Sequence, residues 1–259
     1  MTIVNMKVLF LPGFLQNGKR LARDSQEFTK ALEQIGITVD YLDPPRKIAS
    51  KDQIGYSLSA DESEANKKWQ SVIDRDFNRC WWYYSRDAVY EGFEESLQYA
   101  LDYIKKNGPY IGVMGFSQGS SMATILTNII HGELAGLPYF KFSVLFSGMA
   151  FTEPKIKNKR VHLEDVKDVQ DYATKVQVKP RFAKYFTPPE DLPTKVIIVY
   201  GSYDPVVQPL RTQYLGHLFQ GRGTEVEYHG GHKVPHDEKA IASIVSLVSS
   251  AINSTASNL

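Results

Sequence analysis

The sequence predicts an α/β fold, a mostly parallel central sheet with helices on both faces, and three observations point to it. Short β-branched runs alternate with longer amphipathic stretches, several of the short runs are apolar almost throughout, and Gly, Pro and Asn punctuate the joints. Strands covered on both faces have no polar side to present, so a continuous apolar run is what a buried parallel strand requires. With 259 residues, 42% of them hydrophobic, the chain can fill a sizeable core and is read as one domain over 1–259.

The elements follow in order. "MKVLFL" (6–11) is the first predicted strand. Pro12 and Gly13 interrupt its apolar run too early for a signal peptide, and nothing elsewhere approaches the ~20 apolar residues that span a bilayer. A helix is predicted over Leu21 to Ile35 with Gly36 as its terminating residue, then a strand over 37–42. Residues 44–90 open on Pro-Pro, contain "NRCWWYYS" and break the alternation, so they are read as an insertion. Phe93, Leu97, Ala100, Leu101 and Ile104 form one apolar helical stripe that ends at Asn107-Gly108-Pro109. A strand over 110–115, the helix-forming "SMATILTNIIH" and a strand over 142–147 come next. A charged, proline-bounded second insertion fills 151–193. Strands over 195–200 and 224–229 and a helix over 237–252 complete the pattern.

Lys plus Arg number 30 and Asp plus Glu 29, so the net charge of +1 gives no general reason to bind nucleic acid or an anionic membrane. The lone Cys80 cannot form an internal disulfide, and one cysteine with six scattered histidines has no zinc-like spacing. Cys80, beside Trp81, is read as a small buried hydrophobe in a cytoplasmic protein, with the nucleus as a further location.

The chemistry concentrates in "VMGFSQGSSM" (113–122). "GFSQG" matches G-x-S-x-G, a weak signal alone because Gly and Ser are common in turns. A strand precedes it and a helix follows, which is the turn that exposes a strained serine at the C-terminal edge of a sheet. Ser117 is therefore a candidate nucleophile, with the backbone N–H of Gln118 at the helix N-terminus a candidate oxyanion donor. A serine hydroxyl needs a base and an acid, in the order Ser, Asp or Glu, His. Asp204 follows the strand "KVIIVY", although Asp before Pro205 is also an ordinary turn residue. His232 follows "TEVEYH" and the flexible Gly230-Gly231 pair, which can carry its ring back over the sheet edge. His229 closes the predicted strand and His236 heads the last helix as a capping or surface residue, so His232 is preferred. A second oxyanion donor is expected in "LPGFLQNG": Phe14 first and Leu15 second, since Pro12 has no N–H.

The sequence resembles the FSH family of serine hydrolases, members of the α/β-hydrolase superfamily. The resemblance rests on "KVLFLPGFLQNGK", "NGPYIGVMGFSQGSSMA", "FSVLFSGMAFTEP", "YGSYDPVVQPLR" and "YHGGHKVP", which occur in that order across most of the chain. It implies an α/β-hydrolase fold and an esterase-type activity with Ser117, Asp204 and His232 as the triad. The family usually carries Leu-His-Gly where this chain has Leu11-Pro12-Gly13.

An acyl ester site is expected to be an apolar pocket. Phe14, Leu15, Trp81, Trp82, Phe116, Met149, Phe151 and Val206 or Val207 lie in segments predicted to rim it, and Leu15, Trp81, Phe116, Met149 and Val207 are the pocket candidates. Ordinary core packing is the alternative for each bulky residue. The motif segments show no cationic cluster, which points away from phosphorylated or carboxylate leaving groups. The expected partner is a small-molecule acyl ester or thioester, with no metal or organic cofactor. A thioesterase or acyltransferase would use the same triad, and a binding module that keeps only the pocket is the alternative from another class.

Overall fold

The computed structural model describes residues 6–84, 90–134, 136–157 and 159–254; residues 85–89 of the first insertion and 158 of the second lie outside the described residues. Six strands form the central sheet: β1 (Met6–Leu11), β2 (Ile37–Tyr41), β3 (Gly112–Phe116), β4 (Phe142–Phe146), β5 (Lys195–Gly201) and β6 (Gly223–Tyr228). Their order is β6-β5-β4-β3-β1-β2, and every pairing is parallel. The expected mostly parallel sheet is thus parallel in all six described strands.

The period of two along each strand divides the core. Val8 and Phe10 of β1 join one apolar cluster, with Leu21, Phe28 and Leu32 and with Ile241, Ile244 and Val248. Leu9 and Leu11 join the other, with Phe93, Leu97, Met122, Ile125 and Leu215. The first face is covered by α1 (Gly18–Asp24), α2 (Gln26–Glu33) and the last helix (Glu238–Asn253), which is capped by the Asp237 carboxylate. The second face carries the helices Phe93–Asn107 and Gln118–Glu133.

The helix expected over Leu21 to Ile35 is instead two helices broken at Ser25. The Ser25 hydroxyl donates to the Leu21 carbonyl at 2.7 Å and lies 3.5 Å from the Tyr41 hydroxyl, while its backbone sits at φ −117°, ψ 15°. A serine that bonds back to its own helix and onto a neighbouring strand ends the first segment without disturbing the apolar stripe.

Both insertions pack against this core. The first pairs Arg46–Lys47 with Arg79–Cys80, carries the helix Glu62–Asp74, and joins Ile48, Ile54 and Cys80 in a small cluster with Leu15. Cys80 is fully buried, and burial pushes its thiol up to about 12, in keeping with an inert hydrophobe. The second insertion folds Thr152–Pro154 against Val176–Val178 and sends Phe182 and Phe186 onto Phe151, with ring centroids 4.9 and 5.0 Å away.

The chain runs from β1 outward to β2, then returns to the other side of β1 for β3 and proceeds to β6. That reversal opens a crevice beyond the C-terminal ends of β1 and β3, which lie in register with Leu11 opposite Gly115.

Candidate active site

Ser117 stands in that crevice, one residue beyond β3 and at the cap of the helix Gln118–Glu133. Its backbone adopts φ 54°, ψ −117°, a conformation costly for any residue with a side chain. The surroundings hold it there: its amide donates to the Phe146 carbonyl at 2.8 Å, and its carbonyl accepts from the Ser120 amide at 3.0 Å.

The flanking glycines make the turn sterically possible. A Cβ on Gly115 would lie 2.1 Å from the Gly119 carbonyl oxygen, and one on Gly119 would lie 2.1 Å from the Leu11 oxygen. Strand, turn and helix therefore meet backbone to backbone. Gly119→Ala is expected to destabilise the protein by about 3 kcal/mol, read as a lower Tm in thermal unfolding. An unchanged Tm would contradict this packing.

The three residues singled out by chain order come together. His232 Nε2 is 3.0 Å from Ser117 Oγ, and His232 Nδ1 is 2.7 Å from Asp204 Oδ2. Asp204 Oδ1 accepts from the amides of Val206 and Val207, each at 2.9 Å, so both carboxylate oxygens are occupied. Burial alone pushes the Asp204 carboxyl up, but the His232 ring, by hydrogen bond and charge, and the two amides outweigh it and hold the group below its ordinary value. The loop carrying His232 is fixed by the buried Tyr228, whose hydroxyl lies 2.9 Å from the Gly231 carbonyl and 2.5 Å from that of Lys233.

The rival histidines sit elsewhere. His229 is exposed and packs edge-on against Tyr203, with ring centroids 5.0 Å apart. His236 is exposed and pairs with Glu27; the residue that caps the last helix is Asp237.

The loop after β1 passes over Ser117, so that a Cβ on Gly13 would lie 3.2 Å from the Ser117 Cβ. The Leu15 amide is consumed by the Arg79 carbonyl at 2.9 Å, whereas no acceptor for the Phe14 amide is found among the described residues. The Gln118 amide opens its helix and has no intrahelical acceptor. These are the two amides expected as donors.

Sequence reasoning missed what braces this loop. The Trp81 indole donates to the Pro12 carbonyl at 2.9 Å, and Gln16 Oε1 accepts from the Gly13 amide at 2.8 Å. The Gln118 side chain accepts from the Trp81 amide at 2.8 Å and donates to the Trp82 carbonyl at 2.7 Å. Turn and insertion are thereby tied together. A glutamine just after the serine and a Trp-Trp pair in the insertion were the available signal; their meeting depends on tertiary structure.

Ser117 and His232 open into a cleft of about 400 Å³ that Phe14, Leu21, Phe116 and Val234 also line. Of the pocket candidates, Phe116 belongs to it and packs against the His232 ring, centroids 4.8 Å apart. Leu15 is buried in the insertion cluster, Trp81 is fully buried, and Val207 is buried beneath Asp204; none of them lines the cleft. The half-buried Met149 does not line it either; its carbonyl accepts from the Ser121 hydroxyl at 2.7 Å. Trp82 and Phe151 meet edge-to-face in the core with centroids 4.9 Å apart, the ordinary fate of bulky side chains. The expectation that the motif segments bring no cationic cluster to the site is also corrected: Arg20, Arg23 and Lys233 line the cleft, the arginines on α1 just beyond the LPGFLQNG segment.

Among the described residues no group of three or more His, Cys, Asp or Glu side chains could hold a metal ion, and no helix is long and apolar enough to cross a membrane. A family model described as "Serine hydrolase (FSH1)" matches residues 1–244. Esterase C25G4.2 of Caenorhabditis elegans is 28% identical over 179 residues, 63% of this chain and 68% of that protein. Family of serine hydrolases 3 of Saccharomyces cerevisiae is 24% identical over 246 residues, covering 92% and 81%. The chain spans only 36% and 26% of two longer relatives that it matches. Among solved structures, the crystal structure of esterase PE8 superposes with a TM-score of 0.52 at 14% identity, over 95% of this chain and 93% of that one, which identifies the fold as that of the α/β hydrolases.

Proposed function

Because the chain belongs to the FSH1 family of serine hydrolases, we propose that it cleaves carboxylic esters through an acyl-enzyme on Ser117. The observation that carries this reading is the continuous relay from Ser117 Oγ to His232 at 3.0 Å and from His232 to Asp204 at 2.7 Å. In the first half-reaction Ser117 Oγ attacks the ester carbonyl while His232 Nε2 takes its proton. The carbonyl oxygen becomes an oxyanion, received by the amides of Phe14 and Gln118. When the tetrahedral adduct collapses, the carbon to alkoxide-oxygen bond breaks and His232 returns the proton to the departing alcohol. Water then attacks the acyl-enzyme by the same steps, releasing the acid and restoring Ser117. Asp204 keeps the His232 proton on Nδ1 and stabilises the imidazolium that forms twice per cycle.

No metal or organic cofactor has a part in this scheme. The reading includes a single domain over 1–259 and a cytoplasmic location; a tagged chain found outside the cytoplasm and nucleus would contradict the location. Turnover of a panel of esters and thioesters graded in acyl length tests the class of substrate. Ester hydrolysis that requires Ser117 agrees with the proposal; activity on thioesters alone contradicts it in favour of a thioesterase.

The bracing of the loop yields a separate prediction. Trp81→Phe removes the donor to the buried Pro12 carbonyl and leaves that oxygen without a partner, at a cost of about 1–3 kcal/mol in stability. With the loop loosened above the oxyanion, kcat is expected to fall about tenfold while KM moves far less. A change confined to KM would place Trp81 in substrate binding instead.

A further inference from the structure

The charge on the walls of the cleft narrows the kind of ester it suits. α1 presents Arg20, Arg23 and Asp24 on one side, and Lys233 lines the cleft beside the His232 ring. The Asp24 carboxylate is shared: Oδ2 is 3.4 Å from Arg20 Nε, and Oδ1 is 2.8 Å from Arg23 Nη2. One carboxylate offsets only one of the two guanidiniums. Lys233 is exposed, and no acidic partner for its ammonium is found among the described residues. His236, at the same mouth, is paired with Glu27. Three permanent cations therefore face the Asp24 carboxylate, with the Glu27 carboxylate behind His236, around a floor of Phe14, Leu21, Phe116 and Val234.

Arg20 is held in place before any ligand arrives. Its Nη1 donates to the Leu15 carbonyl at 3.2 Å, and its guanidinium lies over the Phe77 ring, 5.1 Å from the centroid. A cation fixed in this way loses little freedom on binding an anion. Its planar fork also matches a carboxylate better than a single ammonium does.

We propose that the cleft selects esters that carry a carboxylate, the ester carbonyl lying at Ser117 and the carboxylate held by Lys233 and the α1 guanidiniums. The chemistry of this inference rests on the hydrolase reading, while the binding does not. Because the cations are largely exposed, the attraction is screened by salt. The excess positive charge also speeds the encounter with an anionic substrate.

Two matched pairs test it. 4-Nitrophenyl hydrogen adipate is compared with 4-nitrophenyl hexanoate for an anion on the acyl side, and 3-carboxyphenyl acetate with phenyl acetate for one on the alcohol side. In at least one pair the carboxylate ester is expected to have a kcat/KM about tenfold higher at low salt, and the ratio to collapse in Arg23→Gln/Lys233→Gln or in 0.5 M sodium chloride, where the Debye length falls to about 4 Å. Equal values within both pairs, or a preference that neither the substitutions nor salt reduces, would overturn the inference. No turnover of any of the four esters would contradict the hydrolase reading instead. Calorimetry on the Ser117→Ala protein then decides the cleft by itself: monomethyl adipate is expected to bind about tenfold more tightly than dimethyl adipate, and equal affinity overturns the proposal.

Discussion

Replacing Ser117 by alanine is expected to lower ester turnover by about 10⁵-fold or more while leaving the fold intact. The size of the loss follows from the relay, since without Oγ the ester carbon has no nucleophile other than water for His232 to activate. Residual activity would come from water activated by His232 in a site that still binds the ester. The fold should tolerate the change because Ser117 is held by backbone contacts, to Phe146 and Ser120, that alanine keeps. Its side chain has one protein contact of note, the His232 ring. A Tm close to wild type with activity at background is the expected pair of results. Substantial turnover in Ser117→Ala would remove the serine from the mechanism.

Asp204→Asn is expected to lower kcat by about 10⁴-fold. The Val206 and Val207 amides require an acceptor at Oδ1, so an asparagine in that place satisfies them with its carbonyl and turns its NH2 toward His232. That NH2 forces the ring to accept at Nδ1 and to carry its proton on Nε2, where it cannot act as a base toward Ser117. The same substitution has a signature in stability. The carboxyl of Asp204 is held below its ordinary value, so its contribution is complete above the unfolded value of about 3.9 and is lost as pH falls through the lower folded value. The Tm of wild type should exceed that of Asp204→Asn by a constant amount from pH 5 upward, and the gap should narrow below about pH 4. A gap independent of pH would mean that the ionised carboxylate is not what the variant loses.

The meeting of Ser117, Asp204 and His232 was legible in the sequence because each follows an apolar strand, and parallel strands bring their C-terminal ends to one edge. Ser117 after β3, Asp204 beyond β5 and His232 beyond β6 need no knowledge of side-chain packing to be placed together. That His232 rather than His229 reaches Ser117 was legible for the same reason: a residue that ends a strand points where the strand sends it, whereas one beyond two glycines is free to turn back. The six strands were found within a residue or two of their ends, since an apolar run long enough to cross a buried sheet has few other uses.

What could not be read depends on contacts between distant segments. The break at Ser25 lies inside an unbroken apolar stripe, and its causes are a hydroxyl bonded to Leu21 and a tyrosine on β2. The Pro12 loop lacks the imidazole that the family usually carries there, yet its carbonyl is held by an indole 69 residues away. Trp81 was expected in the pocket because the insertion was placed near the site. It is near, but it faces the loop rather than the substrate. Arg20 and Arg23 escaped notice because they lie just beyond the LPGFLQNG segment, and only the packing of α1 beside the Phe14 loop brings their charge to the cleft.

The most direct test of the account is reaction of the native protein with a fluorophosphonate, followed by intact mass and peptide mapping. One adduct per chain, located on Ser117, absent from Ser117→Ala and formed far more slowly in His232→Ala, is the predicted result. An adduct on another residue, or labelling of Ser117→Ala at the wild-type rate, would contradict it.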